Sequence, residues 1–253
     1  MRYEILGPVR VIKEGGVEFV RGRNIEAVLT ALVIRADQVV TFDELVMEVW
    51  GDRPPRRATA AVHVYISQLR KLLARAEKTD SPIITQTPGY LLHQGSDEID
   101  FKIFLRHLNE SRLHMSAGHY EEASRSLEMA LQLWRGPALA DAASGPIATG
   151  CASFLLESRL ECWETLSGAQ LELGKHRELI GQLSSLIEAN PLREIFYQQL
   201  MLALYRSDRQ ADALRVYQKA RRILQDELGV DPCPRLRDLH HAILSGSSAL
   251  ALR

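Results

Sequence analysis

Long apolar runs are missing from this sequence, and no stretch approaches the roughly 18 consecutive residues that a membrane-spanning helix needs. The opening MRYEILGPVR also lacks the apolar core of a secretory signal, so the expected location is the cytoplasm. Cysteine is scarce: Cys151, Cys162 and Cys233 are far apart, odd in number and without a CxxC or a neighbouring Cys/His pair. Neither a disulfide framework nor a zinc site is expected from them, and free cysteines usually pack as small buried thiols. Catalytic signatures are absent too, with no Walker A pattern, no G-x-S-x-G and no H-E-x-x-H. His240 and His241 are adjacent, which on a helix prevents the joint chelation open to an i, i+4 pair. No catalytic residue, metal or cofactor is therefore expected, and the chain does not read as an enzyme.

What is present is ordinary globular composition, 46% hydrophobic and 25% charged over 253 residues, enough for one large domain or two average ones. The net charge of −1 conceals a local excess. From Arg53 to Lys78 the basic residues Arg53, Arg56, Arg57, Arg70, Lys71, Arg75 and Lys78 are opposed only by Glu77. Local charge, not the total, sets the potential that a polyanion meets.

The first 95 residues mix strand and helix signals. Tyr3–Leu6, Val9–Ile12 and Val17–Val20, the last two separated by Glu14-Gly15-Gly16, predict a small antiparallel sheet. Asn24 is placed to cap a helix whose apolar face is Ile25, Val28, Leu29, Leu32 and Val33. Thr41-Phe42-Asp43-Glu44 has the form of a capping box. The helix it opens carries Leu45, Val46, Val49 and Trp50 and stops at Gly51, before Pro54 and Pro55. A longer helix follows, about Ala58 to Ala76. At 100° per residue its core stripe is Ala58, Val62, Tyr65, Ile66, Leu69 and Leu73. The opposite side is Ala60, Val64, Ser67 and Lys71, flanked by His63, Gln68 and Arg70, without a carboxylate. Ile83 to Leu92 then reads as strand, turn and strand, with Gly89 expected to supply a positive φ.

In this order the segments resemble an OmpR/PhoB-type winged helix. Thr41–Gly51 looks like the second helix of that domain, Val62–Leu73 like its recognition helix, and the Pro88-Gly89-Tyr90 hairpin like its wing. The resemblance implies DNA binding, with the long helix in the major groove. His63, Ser67 and Gln68 would then meet base edges and Val64 a thymine methyl. Arg56, Arg57, Arg70 and Lys71 would meet phosphates, and the amides at the Thr41 helix N-terminus would meet another. Gln86, Thr87 and Tyr90 belong to the wing that reaches the flanking minor groove. Gln86 and Thr87 stand where many members carry a basic residue, so no strong minor-groove arginine contact is expected. The loop Arg53, Arg56 and Arg57 corresponds to one that touches polymerase in OmpR/PhoB-type activators.

Beyond residue 95 helix signals dominate. Gly118–Ala123, Gly174–Leu179 and Asp208–Ala213 look alike, each at a turn between amphipathic helices, and the last two are offset by the 34 residues of a tetratricopeptide period. Asn190-Pro191 closes one pair. The longer interval before Gly174 is expected to hold an extra helix and a loose Gly/Pro/Ala-rich stretch from Arg135 to Gly150. Trp134, Trp163, Tyr197, Tyr205 and Tyr217 are read as core. The fold expected is an α+β winged helix-turn-helix over residues 1–95, then an all-α, tetratricopeptide-like domain over residues 96–253.

With Glu227-Leu228-Gly229-Val230-Asp231-Pro232 near the end, the whole chain resembles the SARP family of actinobacterial antibiotic regulatory proteins. Their helical half is the bacterial transcriptional activation domain. The resemblance implies a pathway-specific activator of an antibiotic or secondary-metabolite gene cluster. It would bind short direct repeats in double-stranded promoter DNA, as a dimer on DNA, and contact RNA polymerase holoenzyme through its sigma and alpha subunits. A winged-helix repressor and a tetratricopeptide-type interaction scaffold remain the alternatives.

Overall fold

The computed structural model describes residues 1–74, 81–140, 145–246 and 250. They fall into two compact units, residues 1–108 with 129–160, and residues 109–128 with 161–253. Among the described residues no helix is long and apolar enough to cross a membrane.

The first unit opens with strands β1 (Arg2–Glu4), β2 (Arg10–Lys13) and β3 (Gly16–Phe19), an antiparallel sheet in which Tyr3 faces Val11 and Ile12 faces Val17. Helix α1 (Arg23–Ile34) buries Ala27 through Val33 without a break. Its cap is Gly22 and not Asn24. The Gly22 carbonyl already accepts the Glu26 amide at 3.0 Å, so Asn24 lies inside the helix, where its Nδ2 donates to the Tyr65 hydroxyl at 3.0 Å. Strand β4 (Val39–Thr41) runs into α2 (Phe42–Trp50) through a two-way capping box. Thr41 Oγ1 accepts the Glu44 amide at 3.2 Å, and the Glu44 carboxylate accepts the Thr41 amide at 2.8 Å. That amide bond, reinforced by the Thr41 hydroxyl, holds the Glu44 carboxyl below its usual range.

Helix α3 (Ala58–Leu72) follows an exposed loop, and β5 (Ile83–Gln86) with β6 (Gly89–Leu92) forms a hairpin completed by β4 into a sheet of order β4-β6-β5. The hairpin turn is Thr87-Pro88, whose peptide bond is cis. Gly89 is required for a different reason from the one expected. It pairs with Thr41, and a Cβ there would overlap the Val40 carbonyl oxygen. Close approach of two strands, not a positive φ, demands glycine. A two-residue strand β7 (Glu98–Ile99) joins the first sheet parallel to β1, giving the order β3-β2-β1-β7.

Two buried carboxylates tie distant parts of this unit together. Asp100, at the start of α4 (Asp100–Ser116), is 1% exposed and accepts the amides of Ile5 and Leu6 at 2.9 Å. Burial pushes its carboxyl up, while those amides and the Arg135 charge draw it back. Arg135 also lies 3.3 Å from Glu4, which Arg10 approaches at 2.5 Å. Glu48 of α2, likewise 1% exposed, accepts the amides of Ile147 and Ala148 at 2.7 and 2.9 Å. These amides open α6 (Pro146–Glu172), and a Cβ on the preceding Gly145 would overlap Glu48. The extra helix expected before Gly174 is absent among the described residues, and the added length lies in this helix, which runs for 27 residues. The loose stretch ends at Pro146, since proline suits the first helical position, and its residues 141–144 lie outside the described ones.

In the second unit the three predicted corners have one backbone form. Gly118, Gly174 and Asp208 sit at φ 75°, 77° and 62°, each ending one helix and leading to the next. They join α4 to α5 (Tyr120–Gln132), α6 to α7 (His176–Ala189), and α8 (Glu194–Tyr205) to α9 (Gln210–Leu228). The sixth residue of each predicted segment, Ala123, Leu179 or Ala213, is buried as expected. Asn190 caps the end of α7, and α10 (Pro234–Leu244) closes the fold. Tyr197 and Tyr217 are core, whereas Trp134, Trp163 and Tyr205 are half-buried. All three cysteines are free; Cys162 is buried, and burial pushes the half-buried Cys151 thiol up to about 11.

Glu48→Ala leaves two α6 amides without their acceptor, so the first unit loses about 1–3 kcal/mol for each buried amide left unmet. Glu48→Gln keeps one acceptor oxygen and loses less. Urea denaturation followed by circular dichroism and tryptophan fluorescence reads this, and identical midpoints for the three proteins would show that the carboxylate is dispensable.

Candidate nucleic-acid interface

Helix α3 separates its two faces cleanly. Ala58, Val62, Ile66 and Leu69, with Leu73 just beyond its end, are buried, and Tyr65 is half-buried with its ring stacked 6.1 Å from Trp50. On the other side Ala60, His63, Val64, Ser67, Gln68 and Lys71 are exposed. No residue of this helix is acidic, and its last turn carries Arg70 and Lys71. The exposed side thus offers hydroxyl, amide and imidazole groups, one branched apolar side chain and a cation. Those groups suit base edges in a major groove, which admits a helix. The loop before α3 leaves Arg53, Arg56 and Arg57 in solvent. Arg75, Glu77 and Lys78 of the basic run lie outside the described residues.

Three expected contacts change on structural grounds. Tyr90 is only 3% exposed, and its hydroxyl lies 2.7 Å from His63 Nδ1. It packs beneath the surface and reaches no DNA groove directly. Arg70 is bound to the hairpin: Nε donates to the Ile83 carbonyl at 3.1 Å, a terminal nitrogen donates to Thr85 Oγ1 at 2.8 Å, and the guanidinium lies 5.7 Å over the Tyr90 ring. These contacts fasten β5 to α3. At the α2 N-terminus the Phe42 amide donates to the Pro88 carbonyl at 3.2 Å and the Glu44 amide to Thr41. The exposed carboxylates of Asp43 and Glu44 stand beside them. Helix N-termini attract anions when their amides are free; here two are engaged and like charge is adjacent, which disfavours a phosphate at Thr41.

Gln86 and Thr87 are exposed at the hairpin tip, with Ile84, Thr85 and Pro88. Sequence reasoning missed Phe42, whose ring stands edge-on to His63 at 5.1 Å and to Tyr90 at 5.2 Å. An aromatic residue at the first position of a capped helix was its one local signal.

Comparison with known proteins adds independent information. Residues 99–244 match the model of the bacterial transcriptional activator domain, and residues 22–92 match that of the transcriptional regulatory protein C-terminal domain. The chain is 36% identical over 97% of its length to the transcriptional regulator RedD of Streptomyces coelicolor, covering 71% of that protein. It belongs to the SARP family. The regulatory protein AfsR of Streptomyces coelicolor is 38% identical over 99% of this SARP chain, which spans 25% of AfsR. A structure of Mycobacterium tuberculosis EmbR in complex with a low-affinity phosphopeptide superposes with a TM-score of 0.91 at 33% identity. It covers 97% of this chain, which covers 65% of the EmbR chain. The SARP chain is thus a winged helix-turn-helix followed by a helical domain.

Because α3 carries a buried stripe and an exposed face on one helix, the two can be separated by mutation. Ile66→Ala or Leu69→Ala, on the buried stripe, costs about 2–5 kcal/mol and abolishes binding through unfolding. Thermal melts should fall accordingly; unchanged melts with lost DNA binding would mean that the stripe is the contact surface.

Proposed function

We propose that this SARP chain is a sequence-specific DNA-binding transcription activator of an antibiotic or other secondary-metabolite gene cluster. The observation that carries the DNA-binding part is the exposed face of α3, which holds His63, Val64, Ser67, Gln68 and Lys71 without a carboxylate. In this reading Ser67, Gln68, His63 and Val64 face bases, while Lys71, Arg56 and Arg57 meet phosphates. Gln86 and Thr87 lie along the flanking minor groove as neutral groups and supply little affinity. Activation is supported by the match of the helical domain to the bacterial transcriptional activator domain.

Two protomers bind short direct repeats head to tail, since a heterologous contact repeats in one direction along the duplex. The exposed arginines Arg53, Arg56 and Arg57 touch RNA polymerase holoenzyme at its sigma or alpha subunit, and residues 96–253 contribute a second contact. A direct-repeat site gains affinity over a single site because the second protomer binds beside the first.

Gel shift with duplexes selected from a random pool is the first test. Gln68→Ala should cost about 1–3 kcal/mol at one base position and leave others alone. Lys71→Ala should weaken all sequences alike and reduce the salt slope by roughly one unit. Equal, sequence-blind losses for both variants would remove Gln68 from base reading. The polymerase contact is read separately, by run-off transcription at matched promoter occupancy. The triple variant Arg53→Ala, Arg56→Ala, Arg57→Ala should then activate several-fold less than the parent, and equal activation would move the contact elsewhere.

A further inference from the structure

The cluster behind His63 fixes something that its exposure alone does not. His63 Nδ1 lies 2.7 Å from the Tyr90 hydroxyl, and Tyr90 is 3% exposed. A buried phenol whose proton lacks an acceptor is costly, so its partner is set by what lies within reach. Among the described residues the hydroxyl's hydrogen-bond partner is His63 Nδ1. Two neighbours that touch its ring have no lone pair to offer. Phe42 meets the Tyr90 ring edge-on at 5.2 Å, and the Arg70 guanidinium, over its face at 5.7 Å, is a donor only. Burial raises the Tyr90 pKa, with Arg70 opposing, so the phenol keeps its proton and can donate it.

The consequence for the imidazole is direct. A neutral histidine has one N–H and one lone pair. If Nδ1 accepts from Tyr90, the proton sits on Nε2, which points away from the phenol on a residue exposed on the reading face of α3. The identity of the second-site partner thereby decides which tautomer faces the ligand. Phe42, edge-on to the imidazole at 5.1 Å, limits rotation of the ring.

We propose that Tyr90 sets the hydrogen-bonding polarity of His63, so that His63 offers the major groove a donor and reads an acceptor on a base edge. Guanine, with N7 and O6 both accepting, fits best. Cytosine, which presents its N4 amine there, is rejected because donor would face donor. Adenine and thymine, each with one acceptor, fall between. Tyr90 is the positioning residue, and His63 makes the contact. This rests on the reading of α3 as the recognition helix.

The experiment has a spectroscopic arm and a binding arm. In the free, 15N-labelled full chain near pH 8, long-range 15N–1H correlation of the His63 ring, assigned by its loss in His63→Gln, should show a protonated Nε2 and an unprotonated Nδ1. The reverse assignment overturns the proposal whatever happens with DNA. In Tyr90→Phe, which keeps the ring and should keep the melt, the two tautomers should mix. For binding, the probe is a set of duplexes selected by the chain from a random pool, scanned base by base. His63→Ala should erase a guanine preference at one position, roughly five- to tenfold as for the weaker end of base-edge contacts, and Tyr90→Phe should reduce it. Replacing that guanine with 7-deazaguanine should weaken the parent and leave His63→Ala unaffected. Loss of base preference in Gln68→Ala but not in His63→Ala would sink the role of His63 while keeping α3 as reader. A base preference left unchanged in every α3 variant would overturn the recognition-helix reading itself, and this inference with it.

Discussion

The first unit depends on carboxylates buried with backbone amides as their partners. Removing a carboxylate from water is expensive unless several donors replace the lost hydration. Asp100 and Glu48 each meet two main-chain N–H groups from segments almost a hundred residues away in sequence. Bonds of this charge-assisted kind are short and directional, so they fix position as well as energy. One holds the end of β1 to the start of α4, and the other holds α2 to the start of α6. Because α3 packs on α1 and α2, the placement of its exposed face rests on residues well beyond the winged helix proper.

The same helix divides its side chains among three tasks. The buried stripe fixes its roll. Arg70 and, through Tyr90, His63 fasten it to the wing. Val64, Ser67, Gln68 and Lys71 remain in solvent. A surface so arranged is weakly charged for a DNA reader, since one of the two cations in its last turn is engaged with the hairpin. The wing tip, Gln86 and Thr87, is neutral, whereas the loop before α3 leaves Arg53, Arg56 and Arg57 in solvent.

Local physics was readable in the sequence, and distant pairing was not. The Thr41/Glu44 box, the Val62/Ile66/Leu69 stripe and the corners at Gly118, Gly174 and Asp208 are short-range patterns, and each lies where its spacing puts it. The resemblance to a winged helix supplied the order of elements. What escaped were roles set by partners far along the chain. Glu48 looks like any solvent-facing helical carboxylate until α6 is placed over it. Asn24 looks like a cap until Tyr65, 41 residues later, takes its amide. Gly89 looks like a turn glycine, yet β4 is what excludes its Cβ. The two-residue β7 is too short to alternate. Tyr90 and Arg70 were recognised as part of the interface but assigned outward, because periodicity says nothing about what a hairpin lays against a helix.

The Glu48 bond also imposes an order on synthesis. Its acceptor and donors are separated by 99 residues, and a ribosome adds about 5–20 residues per second. For roughly 5–20 s after Glu48 has emerged, the nascent DNA-reading region therefore holds a carboxylate at a site that closes only when Ile147 and Ala148 arrive. Until then that carboxylate stays hydrated and the α2 end of the fold stays open. The newborn chain passes through a stage in which α2 has been made before the α6 amides that meet its buried carboxylate exist.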